Sequence, residues 1–176
     1  KVQSGFYHQF TQNTLQLNNG NGRFLDIANY SGVDATDWSW GGLMFDADND
    51  GYTDLYVCNG IYLDVTDQDF IDFFANDVIQ KMVLTGKKDE VDEVISKMPS
   101  NPVVNKAYRN LGNLKFEDAG TKWGFTIPSF SNGAAYGDLD NDGDIDAVVM
   151  NMGEAPSLLR NGLKAPGRHW VRLKLV

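Results

Sequence analysis

Most of the chain consists of short segments in which apolar and polar residues alternate, separated by turns rich in glycine and asparagine. TLQL and RFLDIA flank the turn NNGNG, and KAYRN and KFEDA flank LGNL, so each set predicts a β-hairpin. A glycine- or alanine-rich strand, a run of aspartates and an apolar strand recur at 41–58 and 133–150. The apolar strands do not alternate, which predicts a sheet that is covered on both faces.

Residues 66–98 have apolar residues spaced for helices instead of strands. The apolar positions that indicate a first helix recur every four residues and are Phe70, Phe74, Val78 and Met82. Thr66, with Asp69 three residues later, predicts the start of this helix, and Gly86 predicts its end. A second, shorter helix is predicted before Pro99, so that the two form a helical hairpin.

The chain contains an internal repeat. A shift of 92 residues aligns 18–59 with 110–151, and 16 of these 42 positions are identical. Stacked four-stranded units of this kind are typical of β-propeller blades. We therefore predict a mainly β fold with two four-stranded propeller-type blades, a partial propeller, in which the helical hairpin is inserted between the second and third strands of the first blade.

The same alignment predicts how the chain divides. We expect the outer hairpin of a preceding blade and a linker at 1–37, blade one at 38–120 with the insert at about 66–98, and blade two at 121–176, where it runs into the start of a truncated C-terminal domain. The last segments, PSLLRNG and HWVRLKLV, are predicted to be strands that complete blade two.

Composition narrows the classes of function. The formal net charge is −9, with no basic patch, which argues against a nucleic-acid partner. No apolar run reaches the roughly 18 residues of a transmembrane helix, which argues against membrane insertion. The single cysteine, Cys58, lies in an apolar strand and is interpreted as a buried hydrophobic residue. His8 and His169 are interpreted as packing or surface residues.

Eight of the 24 acidic residues occupy corresponding positions of two loops with the pattern Asp-x-Asp-x-Asp-Gly-x-x-Asp. Ligand sets made only of oxygens and rich in carboxylates suit calcium. An EF-hand places a glutamate at the twelfth position between flanking helices, whereas Val57 and Val149 stand there in this chain and the flanks read as strands. The pattern therefore predicts calcium loops between strands, and the alternative is a pair of solvated acidic turns.

We predict two calcium ions per chain. The ligands of the first are expected to be Asp46, Asp48, Asp50, Asp54 and the carbonyl of Tyr52. The ligands of the second are expected to be Asp138, Asp140, Asp142, Asp146 and the carbonyl of Asp144. A structural role is favoured over a catalytic one because no base or nucleophile is placed beside either loop in the pattern.

These segments resemble a known family. WSWGGLMFDADNDGYTDLYVCNG and FSNGAAYGDLDNDGDIDAVVMNMG are similar to FG-GAP (VCBS-type) repeats, the calcium-binding blades of integrin-α-like propellers. Both copies lack the proline of the family's glycine/alanine segment, and the helical hairpin is an insertion that ordinary integrin blades lack. NGLKAPGRHWVRLKLV resembles the junction into an ASPIC/UnbV domain, as in the cartilage acidic protein-like group.

The first functional hypothesis is a non-enzymatic, calcium-stabilised scaffold or recognition module that meets a protein or glycan, with Phe70, Phe73 and Phe74 of the helical hairpin as a possible contact. The resemblance implies an extracellular, cell-surface or periplasmic location, and open blade faces imply self-association. The alternative is a fragment of a propeller-based polysaccharide-degrading or other hydrolytic or lyase enzyme. Its candidate residues are Asp64, Asp67, Asp69 and Asp72. A spacer that carries other domains is a third possibility.

Overall fold

A computed structural model describes residues 11–72, 76–85 and 95–163 of the chain. The fold is mainly β, with 36% of the residues in strands and 12% in helices, which confirms the predicted fold class. The strands are, in chain order, β1 (Gln16–Asn18), β2 (Phe24–Asp26), β3 (Ser39–Phe45), β4 (Asp54–Asn59), β5 (Val103–Val104), β6 (Lys106–Asn110), β7 (Phe116–Asp118), β8 (Pro128–Ser129), β9 (Ser131–Gly137), β10 (Asp146–Asn151) and β11 (Ser157–Leu159).

The described helices are short. They are α1 (Ala28–Ser31), α2 (Gln68–Phe70) and α3 (Asn76–Thr85). α2 begins one residue later than predicted, because the side chain of Asp67, not that of Thr66, accepts the N-cap hydrogen bond from the backbone N–H of Phe70. The predicted second helix of the hairpin falls largely outside the described residues, within which Ile95 and Ser96 are helical. No helix within the described residues has the length and apolar character needed to span a membrane.

Two antiparallel sheets have the strand order of propeller blades. Blade one is the four-stranded sheet β3-β4-β6-β7, and its helical insertion lies between β4 and β6, the second and third strands, as predicted. Blade two is the sheet β9-β10-β11, and its predicted fourth strand, HWVRLKLV, lies outside the described residues. The hairpin β1-β2 precedes blade one.

The internal repeat extends to the strand register. Phe45 pairs with Asp54 in blade one, as Gly137 pairs with Asp146 in blade two. The third strands also correspond, at an offset of 51 residues: Tyr56 pairs with Ala107, and Val148 pairs with Leu158. The first three strands of blade one therefore have structural counterparts in blade two, and these strands can be compared residue by residue.

Alternation along β4 places apolar side chains on both faces of blade one. Val57 and Tyr108 pack with Ala28 and Val33, so one face is covered by the segment that contains β1, β2 and α1. On the other face, Tyr56, Cys58 and Ala107 pack with Val149 and so meet blade two. The short helix α1, which the sequence did not predict, supplies Ala28 to the first of these clusters.

A chain of buried hydrogen bonds joins the two blades at the ends of β4 and β10 opposite the acidic loops. The backbone N–H of Asn59 donates to Oδ1 of Asn105 (2.8 Å), and Nδ2 of Asn105 donates to Oγ of Ser131 (2.8 Å). The Ser131 hydroxyl in turn donates to Oδ1 of Asn151 (2.8 Å). Because Asn59 and Ser131 are fully buried, these polar groups need one another as partners and fix how the blades meet.

Candidate metal centres

Each acidic loop connects the first two strands of its blade, β3 to β4 or β9 to β10. Asn49 and Asn141, at the fourth loop position, both have a positive φ (55° and 63°), and so do Gly51 and Gly143 at the sixth (85° and 92°). Asparagine and glycine are the residues that adopt this left-handed conformation at least cost. Both loops therefore share the same backbone conformation at the fourth and sixth positions.

The ninth loop residue, Asp54 or Asp146, is buried and holds its loop in place through hydrogen bonds, so we call it the anchor. Each carboxylate is 2% exposed and accepts two backbone N–H bonds. Asp54 accepts from Ala47 (3.0 Å) and from Asn110 (2.8 Å), and Asp146 accepts from Leu139 (3.0 Å) and Asn161 (2.8 Å). Through these bonds the carboxylate ties the start of the loop to the end of the third strand in its blade.

Each loop gathers three carboxylates around a small space. In the first loop one oxygen each from Asp46, Asp48 and Asp50 lie within 4.8 Å of one another. In the second loop the group is Asp138, Asp140 and Asp146, so that the ninth loop position takes the place of the fifth. Since calcium–oxygen distances are about 2.3–2.6 Å, oxygens that share one calcium ion lie within roughly 5 Å of one another, and both groups meet that condition.

An arginine from the third strand of each blade contacts its acidic loop. Nε of Arg109 lies 2.8 Å from Oδ2 of Asp48, and its Nη2 lies 2.7 Å from Oδ2 of Asp50. Nε of Arg160 lies 2.6 Å from Oδ2 of Asp140, and its Nη2 lies 3.5 Å from Oδ2 of Asp142. The guanidinium therefore bridges the third and fifth loop positions in both blades. Sequence reasoning missed these arginines, although the repeated dipeptide Arg-Asn at 109–110 and 160–161 was a signal for them.

Burial and neighbouring hydrogen bonds shift the pKa of three charged side chains in and beside the loops. Burial raises the pKa of Asp54, against the lowering effect of its bonds from Asn110 and Ala47. Hydrogen bonds to Asp50 and then to Asp48 raise the pKa of Arg109. The pKa of Asp142 is lowered, first by the backbone N–H of Asp144 and further by Arg160. Asp142 is thus held in its charged form, whereas the buried Asp54 is harder to ionise.

The two loops also touch each other. Nδ2 of Asn49 in the first loop donates to Oδ1 of Asp144 in the second (2.7 Å). Nδ2 of Asn161, next to Arg160, donates to the carbonyl of Ala47 in the first loop (2.7 Å). A change in one loop can therefore be transmitted to the other through direct contacts.

The structure places the ten predicted ligand residues in the two loops, but Asp54 and Asp142 lie outside the two groups of three carboxylates. The two loops differ here, because Asp146, the buried equivalent of Asp54, belongs to the second group as well as anchoring its loop. All ten ligand assignments stay predictions, including the carbonyls of Tyr52 and Asp144, as does the count of two ions.

Other candidate residues have local structural partners. Asp64 accepts hydrogen bonds from the backbone and hydroxyl of Thr66, Asp67 caps α2, and Asp72 accepts from Gln68. The fourth acidic residue of the enzyme alternative, Asp69, lies in the first turn of α2. Cys58 is fully buried, and burial raises the pKa of its thiol to about 11, which fits its interpretation as a core residue. His8 and His169 lie outside the described residues.

Comparison with known proteins supports the resemblance in part. Residues 6–57 match a family model described as an FG-GAP-like repeat, a span that ends within β4 and includes the first acidic loop. This match supports an FG-GAP-type repeat protein. The search of curated proteins found no match. The relation to the ASPIC/UnbV-linked group stays a prediction.

Proposed function

We propose that this chain is a calcium-stabilised β-propeller repeat module that serves as a scaffold or recognition surface for a protein or glycan. The observation that carries the proposal is that two equivalent loops, one in each blade, each gather three carboxylates at the same end of the fold. The FG-GAP-like match over the first loop supports it, because such repeats often bind calcium.

The residues present fit calcium by the chemistry of their donors. Both groups offer only carboxylate oxygens, which hard cations prefer, and both have the spacing that one ion requires. Asp46, Asp48 and Asp50 would hold one ion, and Asp138, Asp140 and Asp146 the other. A bound ion would supply the positive charge that offsets repulsion among the carboxylates. It would join the first, third and fifth positions of the first loop and the first, third and ninth positions of the second.

A non-catalytic role is supported by the surroundings of the loops. Each carboxylate group lies between strands of a blade and is backed by an arginine that is already paired with it. FG-GAP-like repeats are typically non-catalytic modules. They occur in extracellular or cell-surface proteins, so we propose a secreted, cell-surface or periplasmic location, where millimolar calcium can fill weak sites.

We also propose that chains self-associate through an open blade face. In blade one, Tyr56, Cys58 and Ala107 point toward the following blade and are buried by it. Their counterparts in blade two include Met150 and Leu158, which are 50% and 68% exposed. Since the equivalent positions of blade one are buried against blade two, this face of blade two has the character of a blade interface.

Thermal unfolding in excess EDTA and in millimolar calcium, with bound metal counted by mass analysis, tests the calcium proposal. A site saturated about 100-fold above its Kd adds about 2.7 kcal/mol to the free energy of unfolding. Two such sites should raise the midpoint by roughly 10–20 °C in a chain of this size. We expect two bound ions per chain. An unchanged midpoint with no bound calcium would overturn the proposal.

A further inference from the structure

Both acidic loops already contain a positive charge, which is contributed by the protein itself. Arg109 reaches Asp48 and Asp50, and Arg160 reaches the equivalent pair Asp140 and Asp142. In each case Nε contacts the third loop position and Nη2 contacts the fifth. The same atoms meet the same positions in two copies of the unit whose loops differ at other residues, so the contact is a property of the unit.

The strand register fixes where each arginine can reach. Arg109 is the penultimate residue of β6, and Arg160 directly follows β11. The pairings of β6 with β4 and of β11 with β10 are equivalent, so both side chains project at the loop end of the sheet. The next residue, Asn110 or Asn161, donates its backbone N–H to the anchor carboxylate, which holds the arginine beside the loop.

The guanidinium and a divalent cation would use the same carboxylates. Asp48 and Asp50 belong to the three-carboxylate group of the first loop, and Asp140 belongs to that of the second. A cation placed among these carboxylates would lie a few ångströms from a guanidinium of like charge. The cation must therefore displace the arginine or bind against its repulsion, and both possibilities reduce its affinity.

We propose that Arg109 and Arg160 act as internal counter-ions that hold the two loops in shape when no metal is bound and weaken their affinity for calcium. This inference rests on the proposed function, since it assigns a role toward the calcium that the loops are proposed to bind. Its consequence is that each loop exchanges calcium reversibly as the ion's concentration changes, instead of requiring calcium in order to fold.

The two arginines should differ in how much they stabilise the metal-free protein. The Arg109 side chain is 29% exposed and its partners are 10% and 8% exposed, whereas the Arg160 side chain is 72% exposed and its partners are 34% and 36% exposed. Solvent screens the second set of charges much more than the first. Loss of Arg109 should thus have a larger effect on the metal-free protein than loss of Arg160.

The test uses the full chain and the variants Arg109→Ala, Arg109→Gln and Arg160→Ala. Arg23→Ala is the matched control, because it removes one positive charge from the β1-β2 turn, outside both loops. Unfolding is followed in EDTA, and calcium alone is titrated by calorimetry. We expect Arg109→Ala to lower the metal-free midpoint and to tighten calcium binding at one site about fivefold or more. Arg160→Ala should tighten the other site with little change in the metal-free midpoint, and Arg23→Ala should do neither.

The outcomes separate the two proposals. If the unmodified chain binds two calcium ions but neither Arg109→Ala nor Arg109→Gln binds calcium more tightly, the counter-ion role is wrong and the calcium function stands. If the unmodified chain binds no calcium but the arginine variants do, the calcium function of the natural chain is wrong and the counter-ion role is supported. If neither the chain nor any variant binds calcium, both proposals are overturned. Arg109→Gln keeps a polar side chain of similar length and serves as the alternative if Arg109→Ala does not fold.

Discussion

Blade one and blade two have the same strand pairing, the same loop conformation and the same buried anchor, but they differ in how much of each unit is covered. In blade one, Arg109 is largely shielded and both faces of β4 are packed. In blade two, Arg160 is 72% exposed and Met150 and Leu158 lie on an open face. The comparison shows that the repeat determines the geometry of each loop. How much each contact contributes to stability depends on how far the surrounding segments shield it from solvent.

The largest effect on the free energy of unfolding is expected from substitution of the anchors Asp54 and Asp146, at which the two blades are alike. Replacing either aspartate by asparagine (Asp54→Asn or Asp146→Asn) keeps the shape but turns one acceptor toward a backbone N–H into a donor. One buried N–H then loses its partner and a charge-assisted bond is lost, which should cost about 2–4 kcal/mol of unfolding free energy in each blade. Urea denaturation in EDTA measures this cost without any contribution from metal.

Asp69→Asn is the control for the anchor variants, since it removes one carboxylate from an exposed position at the start of α2. It should change the unfolding free energy by less than about 0.5 kcal/mol. If Asp146→Asn cost far less than Asp54→Asn, the anchors would not be equivalent, and the comparison would fail at the point where the blades look most alike.

A smaller effect, on self-association, is expected at the open face of blade two that carries Met150 and Leu158, because the equivalent face of blade one is buried. The face of blade one that packs against the segment with β1, β2 and α1 also exposes two apolar side chains of β3, Trp40 and Met44. We expect the outer face of blade two in one chain to meet this face of blade one in another, a head-to-tail contact. Sedimentation should show a mass that rises with concentration, and Leu158→Asp should reduce it.

Ile127→Asp provides the matched control for self-association. Ile127 is 80% exposed, but it lies between β7 and β8 and not on the outer face of blade two. Association that is lost equally in Ile127→Asp and Leu158→Asp would point to general hydrophobic contact. A chain that stays monomeric at high concentration would contradict the proposed interface.

Much of the fold was predictable because local patterns carry it. The internal repeat located both loops, and the change from alternating to helical spacing located the insertion between β4 and β6. The aspartate spacing found both carboxylate groups, although it did not distinguish the buried anchor Asp54 from the residues that line the space. That distinction depends on the Asn110 N–H, which is far away in the sequence.

The contacts that sequence reasoning missed are between residues far apart in the chain. Arg109 is 61 residues from Asp48, and the buried bonds from Asn59 to Asn105 and from Asn105 to Ser131 span 46 and 26 residues. The spacing of residues within one segment carries no information about such pairs. Only the strand register, once known, brings them together.

The smallest effect on the free energy of unfolding is expected from substitutions in the turns of the two outer hairpins, β1-β2 and β6-β7. Gly22 in the first turn has φ 77°, and Leu114 at the equivalent position of the second has φ 62°. A leucine in this conformation costs roughly 1–2 kcal/mol, while a glycine adds about 0.5–1 kcal/mol of unfolded-state entropy. Leu114→Gly should therefore stabilise the chain by about 0.5 kcal/mol, and Gly22→Leu should destabilise it by about 1 kcal/mol, in urea denaturation. A loss of more than about 1 kcal/mol in Leu114→Gly would mean that packing of this half-exposed side chain outweighs the strain, so that the second hairpin is held by contacts that the first does not have.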